Sequence, residues 1–197
     1  MPRATQPITA DEFVELVQDG QKADLLDGVI YMASPDSPEA ADVNGFIYSL
    51  LRLFVRRRRL GKVYGPRSAF RLADTYAPEP DIAFVPRDRL HLWKRSFFKG
   101  APDLAIEIVT PDSLNRDPTI KRDVYERAGV REYWMVHLLD SRSTFLRLDG
   151  KKYRDVTPES GTVFRSEAVP GFWIDPAWLF ADERPDDLEC LNRILGS

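Results

Sequence analysis

The sequence predicts an α/β (α+β) fold in which helices flank one central mixed β-sheet, preceded by an N-terminal helix and a hairpin. From residue 62 onward, strand-like apolar runs follow one another with only one strong helix between them. Asp27-Gly28 stands between two apolar runs, which is typical of a two-residue hairpin turn. A chain of 197 residues with 43% hydrophobic content is long enough to bury one core, so we expect a single domain over residues 1–197.

The elements follow in order from local signals. Thr9 with Glu12 three residues later has the form of a capping box and predicts a short helix over residues 10–18. Ser37 as N-cap and Pro38 at the first helical position begin a longer helix that ends near residues 60–61. Strand-like segments lie at residues 62–65, 68–72, 81–85, 104–109, 132–136, 144–148 and 161–165. The aromatic residues Trp173, Trp178 and Phe180 near the end are expected to cover the core.

Charge and composition exclude several classes of protein. A net charge of −3 counts against a protein that wraps nucleic acid through a broad basic surface. The basic run Arg56–Arg59 suits the C-terminal end of the long helix and is interpreted as a solvated helix end, with phosphate contact as the alternative. No apolar run approaches the roughly 18 residues of a membrane helix. The N-terminus lacks the apolar core of a secretory signal and Cys190 has no second cysteine to pair with, so a cytoplasmic location is expected.

Two acids stand where the strand pattern calls for apolar residues. Asp81 opens the run PDIAFV, and alternation places it on one face with Ala83 and Val85. Glu107 lies inside LAIEIV and shares its face with small or β-branched neighbours. An isolated buried carboxylate costs several kcal/mol unless it is paired, protonated or bound to a metal. The two acids therefore predict a partner nearby.

A lysine on the next helix supplies a candidate partner. Asp117 as N-cap and Gly129 past the end delimit a helix of about eleven residues. At about 100° per residue, Lys121 falls inside the apolar arc that begins with Ile120. Each of the three charged residues alone could be structural, but two carboxylates and a lysine together are what a phosphate site with a divalent cation requires.

The segments EPDIAFVP, APDLAIEIVTPDS and DPTIKRDVYERAGVREYWMV resemble the PD-(D/E)XK nuclease superfamily, and within it the bacterial Uma-type restriction endonucleases. The resemblance covers most of the chain and implies a restriction-endonuclease-like fold and a nuclease acting on nucleic acid, with DNA as the expected substrate. It implies that Asp81 and Glu107 bind the metal. In the superfamily the lysine stands two positions after the second acid, where this chain has Val109. In Uma-type members it moves to the following helix, at the position of Lys121.

Other positions depart from the family pattern or stay open. Ala40 replaces a histidine that members often carry, and His137 replaces an acid; we interpret His137 as a core or strand-end residue rather than a ligand. Glu39 on the long helix is an accessory candidate. Tyr125, one turn after Lys121, could contact substrate, although packing is the favoured interpretation.

The hypothesis is that Asp81 and Glu107, with the backbone carbonyl of Ile108, hold one Mg²⁺ or Mn²⁺, and that Lys121 assists the attacking water or neutralises phosphate charge. A domain that keeps the fold and binds nucleic acid or acts as a scaffold without catalysis is the alternative. A two-carboxylate glycosidase is disfavoured because a lysine lies between the acids. A homodimer would suit double-strand cleavage.

Overall fold

The computed structural model describes residues 6–17, 21–111 and 116–196, and of residues 116 and 117 it describes the backbone alone. It confirms the α/β prediction with its mixed sheet. Helix α1 spans Ala10–Leu16, where Thr9 accepts from the Glu12 amide and the Glu12 side chain accepts from the Thr9 amide. The capping box is therefore present. In the described part of the chain, no helix is both long and apolar enough to cross a membrane.

The N-terminal hairpin forms as predicted. Strand β1 spans Ala23–Leu26 and strand β2 spans Val29–Met32. Asp27 and Gly28 both have positive φ, at 51° and 72°, as a two-residue turn of this kind requires. Leu25 exchanges two backbone hydrogen bonds with Ala77, so β1 lies against the segment that leads into the central sheet.

The central sheet has six strands in the order β10-β9-β8-β7-β5-β3. Only β7 and β8 run parallel, which makes the sheet mixed. Its strands are β3 (Gly61–Tyr64), β5 (Ile82–Pro86), β7 (Leu104–Val109), β8 (Glu132–His137), β9 (Arg142–Asp149) and β10 (Lys152–Asp155). Two short pairs lie outside it, formed by β4 (Phe70–Arg71) with β6 (Phe98–Lys99) and by β11 (Phe164–Arg165) with β12 (Trp173–Ile174).

The two faces of the sheet are covered by different helices. Helix α2, Pro38–Arg58, packs on the face that carries Ile82, Ile106 and Ile108, together with the C-terminal helix α4, Asp187–Leu195. Helix α4 was not predicted. Helix α3, Arg122–Ala128, covers the opposite face. Short 3₁₀ turns occupy Arg87–Leu92 and Pro176–Phe180, and Trp178 is buried on the core as expected.

The helix before β8 differs from the sequence prediction. Its first part, Arg116–Lys121, is wound as a π-helix and continues directly into α3. The Asp117 side chain, predicted as the N-cap, lies outside the described residues. Ile120 was expected on the apolar face but is 41% exposed, whereas Lys121 is 1% exposed. Because π turns hold more residues than α turns, the 100° spacing does not apply to this segment.

Candidate active site

Asp81 and Glu107 are neighbours across two strands. Strand β5 pairs antiparallel with β7, with Ile82 opposite Ile106, and one further step brings Asp81 beside Glu107. Both side chains are buried, at 6% and 1% exposure. Like charges directly opposite each other in a sheet are destabilising, so the pair needs neutralising partners.

Asp81 has two partners of different kinds. Its Oδ2 atom accepts a hydrogen bond from the Ile108 amide at 2.7 Å. Its Oδ1 atom forms an ion pair with the ammonium group of Lys22, which lies just before β1. Burial lowers the pKa of Lys22, but the nearby carboxylates of Asp81, Glu107 and Asp24 raise it by more, so the net shift is upward. Lys22 is therefore a charged partner of Asp81.

Lys121 connects two carboxylates inside the protein. Its Nζ atom lies 2.9 Å from Glu107 Oε1 and 2.9 Å from Asp24 Oδ2. The Tyr125 hydroxyl donates to the same Glu107 oxygen at 2.9 Å. Lysine and tyrosine stand four positions apart, so they lie one turn apart on the same side of the helix. The helix thus presents two donors to one strand carboxylate.

Asp24 and Glu79 extend this network beneath the site. Asp24 Oδ1 accepts from the Glu79 amide at 2.8 Å, and Glu79 Oε2 accepts from the Ala23 amide at 3.2 Å. Burial raises the pKa of Asp24, but Lys121 and Lys22 lower it by more, so its pKa lies below the ordinary value. Burial raises the pKa of Glu79 to about 7. Asp24 is thus the more fully ionised acid of the two at neutral pH.

The two strand acids and the two lysines border one cleft of about 340 Å³, whereas Asp24 and Glu79 do not line it. It opens between the start of α2 and the ends of β7 and β8, and it is large enough for a nucleotide phosphate and its sugar. Glu39 lines its mouth but is exposed, in the first turn of α2. The charged lining residues are Lys22, Asp36, Glu39, Asp81, Glu107 and Lys121.

Comparison with known proteins places the chain in a family. The profile of Uma2, described as "Putative restriction endonuclease", matches residues 10–177. The chain belongs to the Uma2 family. This membership confirms the resemblance found in the sequence and indicates a nuclease, with nucleic acid as the substrate class.

A solved structure shares the Uma2 chain's fold. It is described as a "putative nuclease belonging to DUF820" from Anabaena variabilis ATCC 29413 and is 18% identical to this chain. The TM-score is 0.73, over 88% of this chain and 98% of the other. At this identity the likeness concerns the fold, which is restriction-endonuclease-like as predicted. A comparison with curated proteins found no match.

The structure brings the sequence-predicted residues of this Uma2 chain together. Asp81, Glu107, Ile108 and Lys121 all border the cleft. Tyr125 is fully buried and reaches the site through Glu107, while its ring packs 5.0 Å from that of Tyr133. His137 ends β8 and its Nε2 atom lies 3.2 Å from the Thr144 hydroxyl, which agrees with the strand-end interpretation.

Sequence reasoning missed Lys22, Asp24 and Glu79. Asp24 carried the same signal as Glu107, an acid directly before the apolar pair of a strand, but the hairpin was treated as structural only. Lys22 and Glu79 carried no comparable signal. Their positions depend on β1 lying beside residues 76–79, where Leu25 pairs with Ala77. The sequence pattern does not predict this contact.

The donor set fits a hard divalent cation. Within residues 6–17, 21–111 and 116–196, no three His, Cys, Asp or Glu side chains are placed to hold a metal ion by themselves. Mg²⁺ does not need such a cage, because it commonly binds one or two carboxylates together with waters and substrate phosphate. The Ile108 amide points at Asp81, and the N–H and C=O of one strand residue face the same side, so its carbonyl faces the site too. Even without Glu79, the three acids Asp24, Asp81 and Glu107 outnumber Lys22 and Lys121, which leaves the cluster negative.

Proposed function

We propose that this Uma2 protein is a nuclease that hydrolyses phosphodiester bonds of DNA and depends on Mg²⁺ or Mn²⁺. Asp81, Glu107 and the Ile108 carbonyl would hold the cation. The observation that carries the proposal is the pair of neighbouring strand acids in one cleft, each with its own lysine. A buried ion pair is seldom a gain in stability over apolar residues, so two of them at a cleft favour a chemical role.

Each residue has a distinct role in this proposal. A bound divalent cation supplies positive charge that polarises the phosphate and lowers the pKa of water. Lys121 orients the attacking water and offsets charge that develops on phosphate oxygens, the kind of preorganised stabilisation that contributes most to many rate enhancements. Lys22, which is 21% exposed at the cleft wall, donates to a non-bridging phosphate oxygen.

Asp24 acts through Lys121 rather than on the substrate. The lysine ammonium has three donor hydrogens, and the carboxylates of Asp24 and Glu107 hold it from two sides. The lowered pKa of Asp24 favours its charged form, which pairs with the Lys121 ammonium. Asp24 is therefore a positioning residue for the proposed lysine.

The test is cleavage of supercoiled plasmid and single-stranded DNA by the purified protein with Mg²⁺, with Mn²⁺ and with EDTA. Glu107→Gln should lower the rate at least about 100-fold, the scale of losing one group that stabilises developing charge. Glu132→Gln is the matched control, because Glu132 is also a fully buried strand glutamate in an ion pair, with Arg147 at 3.2 Å, but lies outside the cleft. The control should retain activity.

The outcomes separate the parts of the proposal. Equal rates for wild type and Glu107→Gln would assign the cleavage to a contaminant. Full activity in EDTA would refute the metal requirement. Cleavage of RNA but not of DNA would change the proposed substrate from DNA to RNA. Binding of DNA without cleavage under every condition would favour the non-catalytic alternative. Double-strand breaks together with a dimeric mass in solution would support a homodimer.

A further inference from the structure

Positive charge in this acidic chain is concentrated in one segment. Residues 43–73 contain eight Lys and Arg residues and no Asp or Glu, which leaves 20 cations against 31 acids for the rest of the chain. Six of the eight lie on the second half of α2, at its C-cap and on β3: Arg52, Arg56, Arg57, Arg58, Arg59 and Lys62. Although the net charge of the chain is −3, this segment therefore carries a strongly basic surface.

Part of this surface forms a groove between α2 and β3, about 510 Å³ in volume. Arg52, Arg56 and Lys62 line it, together with Tyr48 and Tyr64, and no acid is among the residues that line it. The three cationic side chains are exposed. We call this feature the basic groove.

The cations of the basic groove are not committed to carboxylates. Arg52 donates to the Tyr48 hydroxyl at 2.8 Å and lies over that ring, but neither it nor Arg56 nor Lys62 forms an ion pair with any described residue. Arg71, in the same acid-free segment, shows the contrast, since it pairs with two aspartates at 2.9 Å. The groove therefore holds positive charge that is available to an anion.

The strand that lines the basic groove pairs with the strand that Asp81 precedes. Strand β3 is an edge of the six-stranded sheet and pairs with β5, with Tyr64 opposite Ala83. Ala83 is two residues after Asp81, which is roughly 7 Å along a strand. The groove is thus one strand away from the strand that Asp81 precedes, and it shares no lining residue with the cleft.

We propose that the basic groove binds the sugar-phosphate backbone of the nucleic-acid substrate outside the cleft. The inference rests on the proposed function, because its occupant is the same polymer. Phosphate contacts by exposed arginine and lysine fix the position of a nucleic acid without reading its sequence. A lining with three exposed cations and no acid suits a polymer of phosphates, which is the substrate class of this nuclease family.

The test measures binding to a labelled DNA duplex of about 30 base pairs by fluorescence anisotropy, in EDTA so that cleavage does not interfere, over a range of KCl concentrations. Arg56→Gln/Lys62→Gln should weaken binding roughly ten-fold or more near 0.1 M salt. It should also reduce the slope of log K against log salt by about 1.8, which corresponds to two lost phosphate contacts. The matched control is Lys151→Gln/Arg154→Gln, which removes the same charge from exposed positions at β10, the opposite sheet edge.

The proposal predicts that the control keeps the wild-type slope. Equal losses in the two double variants would attribute the effect to net charge and overturn the basic groove. Active cleavage by wild type with unchanged DNA binding by the groove variant would overturn the groove alone. No DNA binding and no cleavage by wild type would overturn the proposed function as well. Loss of poly-glutamate binding with DNA binding intact would reassign the groove to an acidic protein.

Discussion

Replacing Lys121 by methionine should destabilise the protein by about 3–5 kcal/mol, because it removes one partner of a buried ion pair. The lysine side chain is 1% exposed and its ammonium lies 2.9 Å from each of two buried carboxylates. Methionine fills a similar volume, so the loss comes from the two acids that remain without their counter-ion rather than from a cavity. For a chain of this length the melting temperature should fall by about 6–20 °C.

The loss in Lys121→Met should also depend on pH. Without the Lys121 ammonium, Asp24 and Glu107 keep only the weaker influence of Lys22, and taking up protons in the folded state relieves the remaining unpaired charge. An acid that is protonated more readily when folded stabilises the protein at low pH and loses that contribution as pH rises. The difference from wild type should therefore be smaller at mildly acidic pH than at mildly alkaline pH.

The assay is urea denaturation in EDTA across that pH range, with Lys152→Met as the matched control. Lys152 also contacts a glutamate, at 2.8 Å from Glu126 Oε1, but its side chain is 85% exposed, so the control should change stability far less. A Lys121→Met protein as stable as its control, or one whose loss grows toward acidic pH, would refute the assignment of Lys121 as counter-ion to both acids.

Three further predictions concern other parts of the molecule. Asp24→Asn should lower the cleavage rate about 10 to 100-fold, and Asp24→Glu should retain part of the wild-type rate. A shifted pH–rate profile would distinguish lost positioning of Lys121 from a general loss of folding. Gly61→Ala should destabilise the protein by about 1–3 kcal/mol, since its Cβ would lie 2.1 Å from the Val85 carbonyl oxygen. Gly45→Ala in α2 should stabilise it by about 0.4–1 kcal/mol, because the added Cβ meets nothing within 4 Å. Equal melting temperatures for the two variants would contradict this prediction. Hydrogen bonds from Lys152 and Tyr153 lower the pKa of Glu126, so its contribution to stability is present at neutral pH and lost as pH falls. Glu126→Gln should therefore be less stable than wild type at neutral pH but equal to it in acid, as denaturation at several pH values can show.

Strand faces were predictable because alternation is local. The pattern placed Asp81 with Ala83 and Val85, and Glu107 with Ala105 and Val109, and the structure has those pairs on the face opposite α2. The hairpin turn was predictable for a similar reason, since Asp27 and Gly28 tolerate the positive φ that the turn needs.

The helical wheel of the Lys121 segment was less dependable. It placed Lys121 inward, where the structure has it, but it placed Ile120 there as well. The wheel assumes α-helical spacing, and the π-wound turn before α3 breaks that assumption. A sequence pattern does not predict a π turn when its residues are compatible with both α-helical and π-helical geometry.

The sequence by itself determined the strand acids, the hairpin and the family, because each depends on neighbours within a few positions or on the order of motifs. Only the tertiary structure decided which lysine meets which acid. Lys22 reaches Asp81 across 59 residues of chain, and Asp24 meets Lys121 only because β1 packs beside residues 76–79. Such contacts arise from the packing of separate elements, whose energy is not encoded in any local pattern. The same packing sets the basic arginines of α2 beside Lys62 on β3, turning a local run of charge into a groove.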